Sequence, residues 1–386
     1  MLKTFRYRLY PTRAQRSAFR RTLSTCCGLY NYMIEQRKSL WEDKQESISL
    51  FSQLNQLPTL KKEHTQLKSV YSQVLQNVGV RVDLAFKAFF RRVKRGDKSG
   101  YPRFKSWKRY DSFTYPQLGF RIIEERSVVQ LSKIGFIRFD NHRPIEGKVK
   151  TCTIRRTFTD KWFITFSCEI EPIYLQPNDK AVGIDVGLTT FAAFDNGELV
   201  ENPRFFRREE KALARAQRQL SAGPKGSKER ERRRKVVARI HERIVNKRKD
   251  FAHQLSRRII NEYGLIAVED LSINKMIQQN KQTYKKGMNK SIADAAWSMF
   301  VNLLIYKAEE AGRSIIEVNP AYTTQTCSSC GYRQAKKLGD RKHVCPVCGY
   351  TADRDVNAAR NILRLGLQSQ VGIADQEAAG LSVPAE

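Results

Sequence analysis

Four of the eight cysteines fall in two matched pairs, Cys327-Ser-Ser-Cys330 and Cys345-Pro-Val-Cys348. Each pair puts two thiolates at a spacing from which both sulfurs can meet one ion. Gly331 and Gly349 follow directly and permit the tight turn this needs. Fourteen residues separate the pairs, close to the roughly 15–20 of a four-cysteine zinc site. Four thiolates fill a tetrahedron and leave no open position, so this zinc is structural. His343 is a substitute ligand by type, but with the tetrahedron full it is expected at the surface. Cys26, Cys27, Cys152 and Cys168 are scattered and read as buried thiols.

A second kind of metal chemistry is written in carboxylates. Asp185 interrupts the apolar run AVGIDVG, Glu269 ends the run GLIAVED, and Asp355 opens a helix in DRDVNAARNI. An acid in a buried strand is costly unless it is paired or holds a metal. Singly, each has another role open to it: Asp185 accepting from backbone amides, Glu269 pairing with an arginine, Asp355 capping its helix. Together they are hard oxygen ligands suited to Mg²⁺. Two such ions about 4 Å apart can activate water and stabilise a leaving oxygen in phosphodiester hydrolysis. Asp355 comes only seven residues after Cys348, so the zinc segment is expected to fix where that acid sits.

Composition says what such a site would cut. The 386 residues carry 70 Lys+Arg against 39 Asp+Glu, a formal charge of +31. Hydrophobic content of 41% and aromatic content of 10% argue for a folded chain, so a polyanion is the expected partner. No run reaches the roughly 20 apolar residues of a membrane span, and the N-terminus alternates charged and apolar residues with no signal-peptide core. The expected location is the prokaryotic cytoplasm, at the nucleoid when DNA-bound.

The elements that must position these groups show in the periodicity. Residues 2–10 alternate as a strand, and residues 13–94 are helical, with an apolar stripe of Val74, Val78, Val82, Phe86, Phe89 and Phe90. The stretch 91–108 is basic and interleaved with Tyr101, Phe104 and Trp107, as backbone neutralisation and base stacking require. Residues 111–175 read as short strands closing into a small barrel or sandwich. From Arg204 to Lys249 there are 18 Lys+Arg and five Asp+Glu on two amphipathic helices, with the turn at Pro224-Lys225-Gly226. Strands at 181–187, 189–197, 264–271 and 313–320, with helices at 292–312 and 355–365, complete an α/β region, Gly366 reading as the last helix's stop.

The order AVGIDVG, basic helical insertion, IAVEDL, paired CxxC, DRDVNAARNI resembles the split RuvC nuclease domain with an inserted zinc ribbon found in the TnpB family, relatives of type V CRISPR effectors. FRYRLYPTRAQ, VYSQVLQNV, AFKAFFRR and GYPRFKSWKRYDSFTYPQ resemble that family's N-terminal half, so the likeness spans about residues 3–366. Members, long labelled transposases, are RNA-guided DNA endonucleases using a guide transcribed from their own mobile element. The resemblance implies a multidomain fold: a wedge-like β-barrel (1–10 and 111–177), a helical recognition domain (11–110), an RNase H-like nuclease core (178–326 and 351–367) and a zinc ribbon (327–350). The tail 368–386 is small, polar and acidic-leaning, and its composition reads as disordered. It carries Asp185, Glu269 and Asp355 over as catalytic acids holding Mg²⁺, with Asp353 the rival for the third place. It makes Ser72, Gln73 and Gln76 readers of a short flanking DNA motif. With the basic stretches, it makes Arg103, Lys105 and Trp107 grips on nucleic acid. The implied partners are a guide RNA from the same locus and a double-stranded DNA target. A guided binder without nuclease activity, a guide-independent nuclease or transposase, and a plain zinc-ribbon binder are the competing readings.

Overall fold

The computed structural model describes residues 1–271, 286–336 and 339–378. They form two compact units, divided between Glu171 and Pro172.

In the first unit, β1 (Leu2–Leu9) leads into α1 (Arg13–Lys44), which starts at a reciprocal cap: Thr12 accepts from the Gln15 amide while Gln15 accepts from Thr12. Two short helices, α2 (Leu50–Asn55) and α3 (Leu57–Glu63), precede α4 (Ser72–Lys94). Six strands follow: β2 (Ser112–Tyr115), β3 (Phe120–Ile123), β4 (Val128–Leu131), β5 (Gly135–Arg138), β6 (Lys148–Arg156) and β7 (Trp162–Glu169). They pair as one antiparallel sheet ordered β1-β7-β6-β2 and another ordered β3-β4-β5. A bridge between Leu9 and Phe139 joins the two. The alternation of β1 turns Phe5, Tyr7 and Leu9 inward, where Tyr7 meets Phe139 and Phe166 at ring distances of 5.4 and 6.0 Å. Phe19 of α1 and Val74, Val78 and Val82 of α4 belong to the same core. The stripe on α4 ends sooner than its periodicity predicts. Phe86 is buried, but Phe90 is 60% exposed, because chain 95–111 passes as irregular backbone and only Tyr101 folds back onto Phe86 and Phe89.

The second unit is built on a five-stranded sheet ordered β10-β9-β8-β11-β12. Its strands are β8 (Ala181–Val186), β9 (Thr190–Phe194), β10 (Leu199–Glu201), β11 (Leu265–Glu269) and β12 (Ser314–Val318). β11 runs parallel to both β8 and β12, whereas β9 is antiparallel to β8. Between β10 and β11 stand α5 (Phe205–Ala222) and α6 (Lys228–Glu262), whose outer parts bury their own small cluster of Leu213, Ala216, Ile240 and Ile244. Farther along α6, Leu255 and Ile259 join Val182, Ile184, Ile266 and Val268 on one sheet face, together with Phe300 and Leu304. The helix expected at 292–312 is two, α7 (Lys286–Ala295) and α8 (Trp297–Ala311), broken where Ala296 turns left-handed at φ 55°. The break lets Asp294 pair with Arg248 at 2.6 Å while Trp297 enters the core.

A two-stranded ribbon, β13 (Lys342–Val344) with β14 (Thr351–Asp353), carries the second cysteine pair and passes directly into α9 (Arg354–Ala378). Gly366 does not stop that helix. A Cβ there would stand 2.7 Å from the Ala267 Cβ, so its bare backbone is what lets α9 lie against β11. The tail expected to be disordered from residue 368 is helical through Ala378, and 379–386 lie outside the described residues.

Candidate active site and four-cysteine centre

Strand parity puts two acids on one sheet face. On β8, Val182 and Ile184 enter the α6–α8 core, so Gly183 and Asp185 face the other way. On β11, Ile266 and Val268 do the same, leaving Ala267 and Glu269 opposite. Ile184 is in register with Val268, which makes Asp185 and Glu269 the next neighbours along the parallel pair. Residues 84 positions apart in sequence are thereby side by side.

α9 supplies the third acid to this face. A Cβ on Gly183 would fall 2.1 Å from the Ala359 carbonyl oxygen and 2.8 Å from the Leu363 Cβ; one on Gly187 would fall 3.9 Å from Asp355 Oδ2. Asp355, Ala359 and Leu363 are spaced by four, one stripe of a helix. That stripe descends β8 from Gly187 to Gly183, and Asp185 lies between.

All three acids are buried, at 8%, 9% and 9% exposure for Asp185, Glu269 and Asp355. The Asp185 carboxyl is pushed well above the usual range, first by burial and then by the charges of Glu269 and Asp355, with Arg354 opposing. Burial also raises Glu269, against a hydrogen bond from Thr323. Arg354 lies 3.2 Å from Asp355 Oδ1. Asp353 does a different job: it is exposed, and its Oδ1 accepts from the Asp355 amide at 2.8 Å, as a helix cap does. Three buried, mutually repelling hard-oxygen groups with one guanidinium among them are a donor set that a divalent cation fits. Their oxygens do not all come within 4.8 Å of one another, as the four thiols do.

Those thiols converge. Cys327 and Cys348 stand 3.7 Å apart, and Cys330 and Cys345 3.5 Å; a tetrahedron with Zn–S of about 2.3 Å has edges of about 3.8 Å. The two turns repeat one pattern: Gly331 donates to the Cys327 carbonyl and Gly349 to that of Cys345, with both glycines at positive φ. Led by the Cys348 amide, neighbouring hydrogen bonds bring the Cys345 thiol down to about 6. His343 is not at the surface. It is fully buried in the ribbon, its Nδ1 against Lys336 and its ring 6.0 Å from Tyr350, because the β13–β14 pairing turns position 343 inward.

The residues expected to touch nucleic acid do not form one cluster. Ser72 and Gln76 are exposed at the start of α4, Ser72 accepting from Lys61 at 2.7 Å, while Gln73 accepts from the Leu118 amide. Arg103 is exposed, and so is Trp107, with Lys108 and Arg156 over its ring. Lys105 is exposed and lies across Tyr30 at 4.7 Å, and partial desolvation of its ammonium there, with the charge of Arg81, lowers its pKa.

The sequence reading passed over three residues. Thr323 Oγ1 donates to Glu269 Oε1 at 2.6 Å, and Asn357 and Asn361 are buried on α9. The signal for the asparagines was available: two amides at i and i+4, with two alanines between them, just after Asp355.

Three family models match. A "Probable transposase" model covers residues 165–280, a "Cas12f1-like, TNB domain" model 297–362, and a "Helix-turn-helix domain" model 1–46. Over that last span the structure has a strand and then one uninterrupted helix. The Escherichia coli (strain K12) protein named "Putative RNA-guided DNA endonuclease InsQ" is 33% identical over 380 residues, covering 95% of this chain and 92% of its own. A Streptomyces pristinaespiralis protein named "Putative RNA-guided DNA endonuclease" is 33% identical over 371 residues, covering 95% and 89%. Among solved structures, a Cas12f1–sgRNA–target DNA complex aligns with a TM-score of 0.58 at 16% identity, over 89% of this chain and 81% of that one. The mini-RNA-guided endonuclease CRISPR-Cas_phi3 aligns at 0.51 and 10%, over 95% and 92%.

Proposed function

This chain belongs to the TnpB family, and we propose that it is an RNA-guided DNA endonuclease of a mobile element. In this reading it cuts DNA beside a short flanking motif by Mg²⁺-dependent hydrolysis. The observation that carries the nuclease is the meeting of Asp185, Glu269 and Asp355 on one face of the second unit's sheet. Sheet order and strand directions support reading that unit as an RNase H-like core, with Cys327, Cys330, Cys345 and Cys348 holding a structural zinc. The paired sheets of the first unit we read as the wedge-like barrel, and its helices as the recognition part.

Asp185, Glu269 and Asp355 would hold Mg²⁺, probed best as two ions, which when bound supply an activated water and a counter-charge for the leaving oxygen. The chain's own part is positional. β8 and β11 fix two carboxylates by parity and register, and α9 brings the third. Burial keeps bulk water from screening them. The guanidinium of Arg354 restrains Asp355. Base pairing of a guide selects the target, while the protein grips backbones through its basic surface and reads a short motif through Ser72, Gln73 and Gln76.

The test is what the protein carries. Purified under native conditions, it should retain one discrete RNA encoded at the end of its own element, and that RNA should direct cleavage of a matched duplex. Cleavage of bare duplex without RNA would instead favour a guide-independent nuclease.

A further inference from the structure

Glu269 ends its strand in the interior, yet its carboxylate is not left to find its own orientation. The segment after β12 turns at Tyr322, a non-glycine residue held at φ 69°. The next residue, Thr323, is thereby buried with its Oγ1 2.6 Å from Glu269 Oε1 and 3.2 Å from the Pro320 carbonyl. One hydroxyl has one proton, and the shorter contact, to a carboxylate, is the stronger.

The segment is held from α9. Asn361 Nδ2 donates to the carbonyls of Thr323 at 2.9 Å and Thr326 at 2.7 Å. Asn357 Nδ2 donates to the Thr326 carbonyl at 2.8 Å, and its Oδ1 accepts from the Ser328 amide at 2.9 Å. Ser328 lies inside the first cysteine pair. Both asparagines are buried, where an amide is worse than an apolar group unless its partners are all present. Here each amide nitrogen and oxygen has a partner, Asn361 Oδ1 accepting from Arg364 at 3.0 Å, and the bonds run without a gap from the cysteine turn to the acid.

We propose that Thr323 is a positioning residue for Glu269, and that Asn357 and Asn361 tie it to the first cysteine turn, so that the zinc module sets the orientation of the second acid. This rests on the reading of Glu269 as a metal ligand. The division of bonds makes it testable: the segment is stapled through the Thr323 carbonyl, whereas only the hydroxyl reaches Glu269. Thr323→Val therefore removes the positioning contact and leaves the staple, and Thr323→Ser restores the hydroxyl.

The experiment uses the full chain with its bound RNA. Mn²⁺ binding is followed by loss of the free-ion electron paramagnetic resonance signal without DNA, and the Mg²⁺ dependence of cleavage is measured separately. Zinc content and thermal unfolding serve as controls. Thr323→Val should keep its zinc and its unfolding temperature, weaken Mn²⁺ binding about 10- to 100-fold, as loss of a residue orienting a ligand does, and raise the Mg²⁺ needed for half-maximal cleavage by a similar factor. Thr323→Ser should recover most of both. In a double-mutant cycle with Asn361→Leu, the pair should lose less than the sum of the singles. Wild-type Mn²⁺ binding in Thr323→Val, or strictly additive losses, would overturn the proposal. Wild-type Mn²⁺ binding in Glu269→Gln would overturn the premise, and so separates failure of the site from failure of its positioning.

Discussion

Burial and two neighbouring carboxylates make the Asp185 proton hard to remove. A carboxyl whose folded pKa lies above its unfolded value contributes stability below the unfolded pKa, and that contribution is lost as pH rises through the folded one. The Mg²⁺-free protein should therefore lose stability as pH climbs past the ordinary aspartate range, and added Mg²⁺ should stabilise it more at the higher pH. Asp185→Asn keeps the shape and removes the charge. It should raise the stability of the metal-free protein at neutral pH by about 1–3 kcal/mol, the scale of an uncompensated buried polar group, and flatten its pH dependence. Unfolding curves at several pH values, with and without Mg²⁺, check this. At this scale the sequence was legible where one acid stood in an apolar run, as at Asp185 and Glu269. It was less so for Thr323 and the α9 asparagines, whose importance lies in partners brought together only by the fold. His343 was misplaced because a filled tetrahedron says nothing about whether a spare imidazole is needed as packing.

At the scale of elements, the third acid depends on how closely α9 lies on the sheet. Gly183 and Gly366 are the two contacts where that approach leaves no room for a methyl group. Against Gly183 stands the backbone of α9 itself, which cannot rotate away. Gly183→Ala should cost about 1–3 kcal/mol, the usual penalty of overpacking, and should lower cleavage further by moving Asp355 off Asp185; denaturant unfolding with a cleavage assay measures both. Most elements could be read from the sequence, because alternation and helical spacing report directly which face is apolar. The errors were at the places where packing overrides a local signal. Gly366 looks like a stop and is a close contact, Ala296 looks helical and is a break, and Phe90 looks like core and is exposed.

For the whole molecule, a formal charge of +31 is a standing cost in a compact fold unless a polyanion relieves it. The excess is concentrated on α5 and α6, where ion pairs such as Arg243–Glu209 and Arg233–Glu229 account for only part of it. No helix among the described residues is long and apolar enough to cross a membrane. Charge and cysteine spacing could be read at once, and the resemblance already put residues 1–10 with 111–177; that β1 pairs with β7 in particular, across more than 150 residues of chain, could not be read, since no local pattern names a distant partner. The central claim is that Asp185, Glu269 and Asp355 form the site that cuts a guided target. Its most direct test is Asp185→Ala, purified with its RNA and given a matched duplex and Mg²⁺. The account predicts that this variant binds RNA and target as the wild type does and that cleavage falls by at least three orders of magnitude, roughly 4 kcal/mol of lost transition-state stabilisation. Cleavage at the wild-type rate would contradict it.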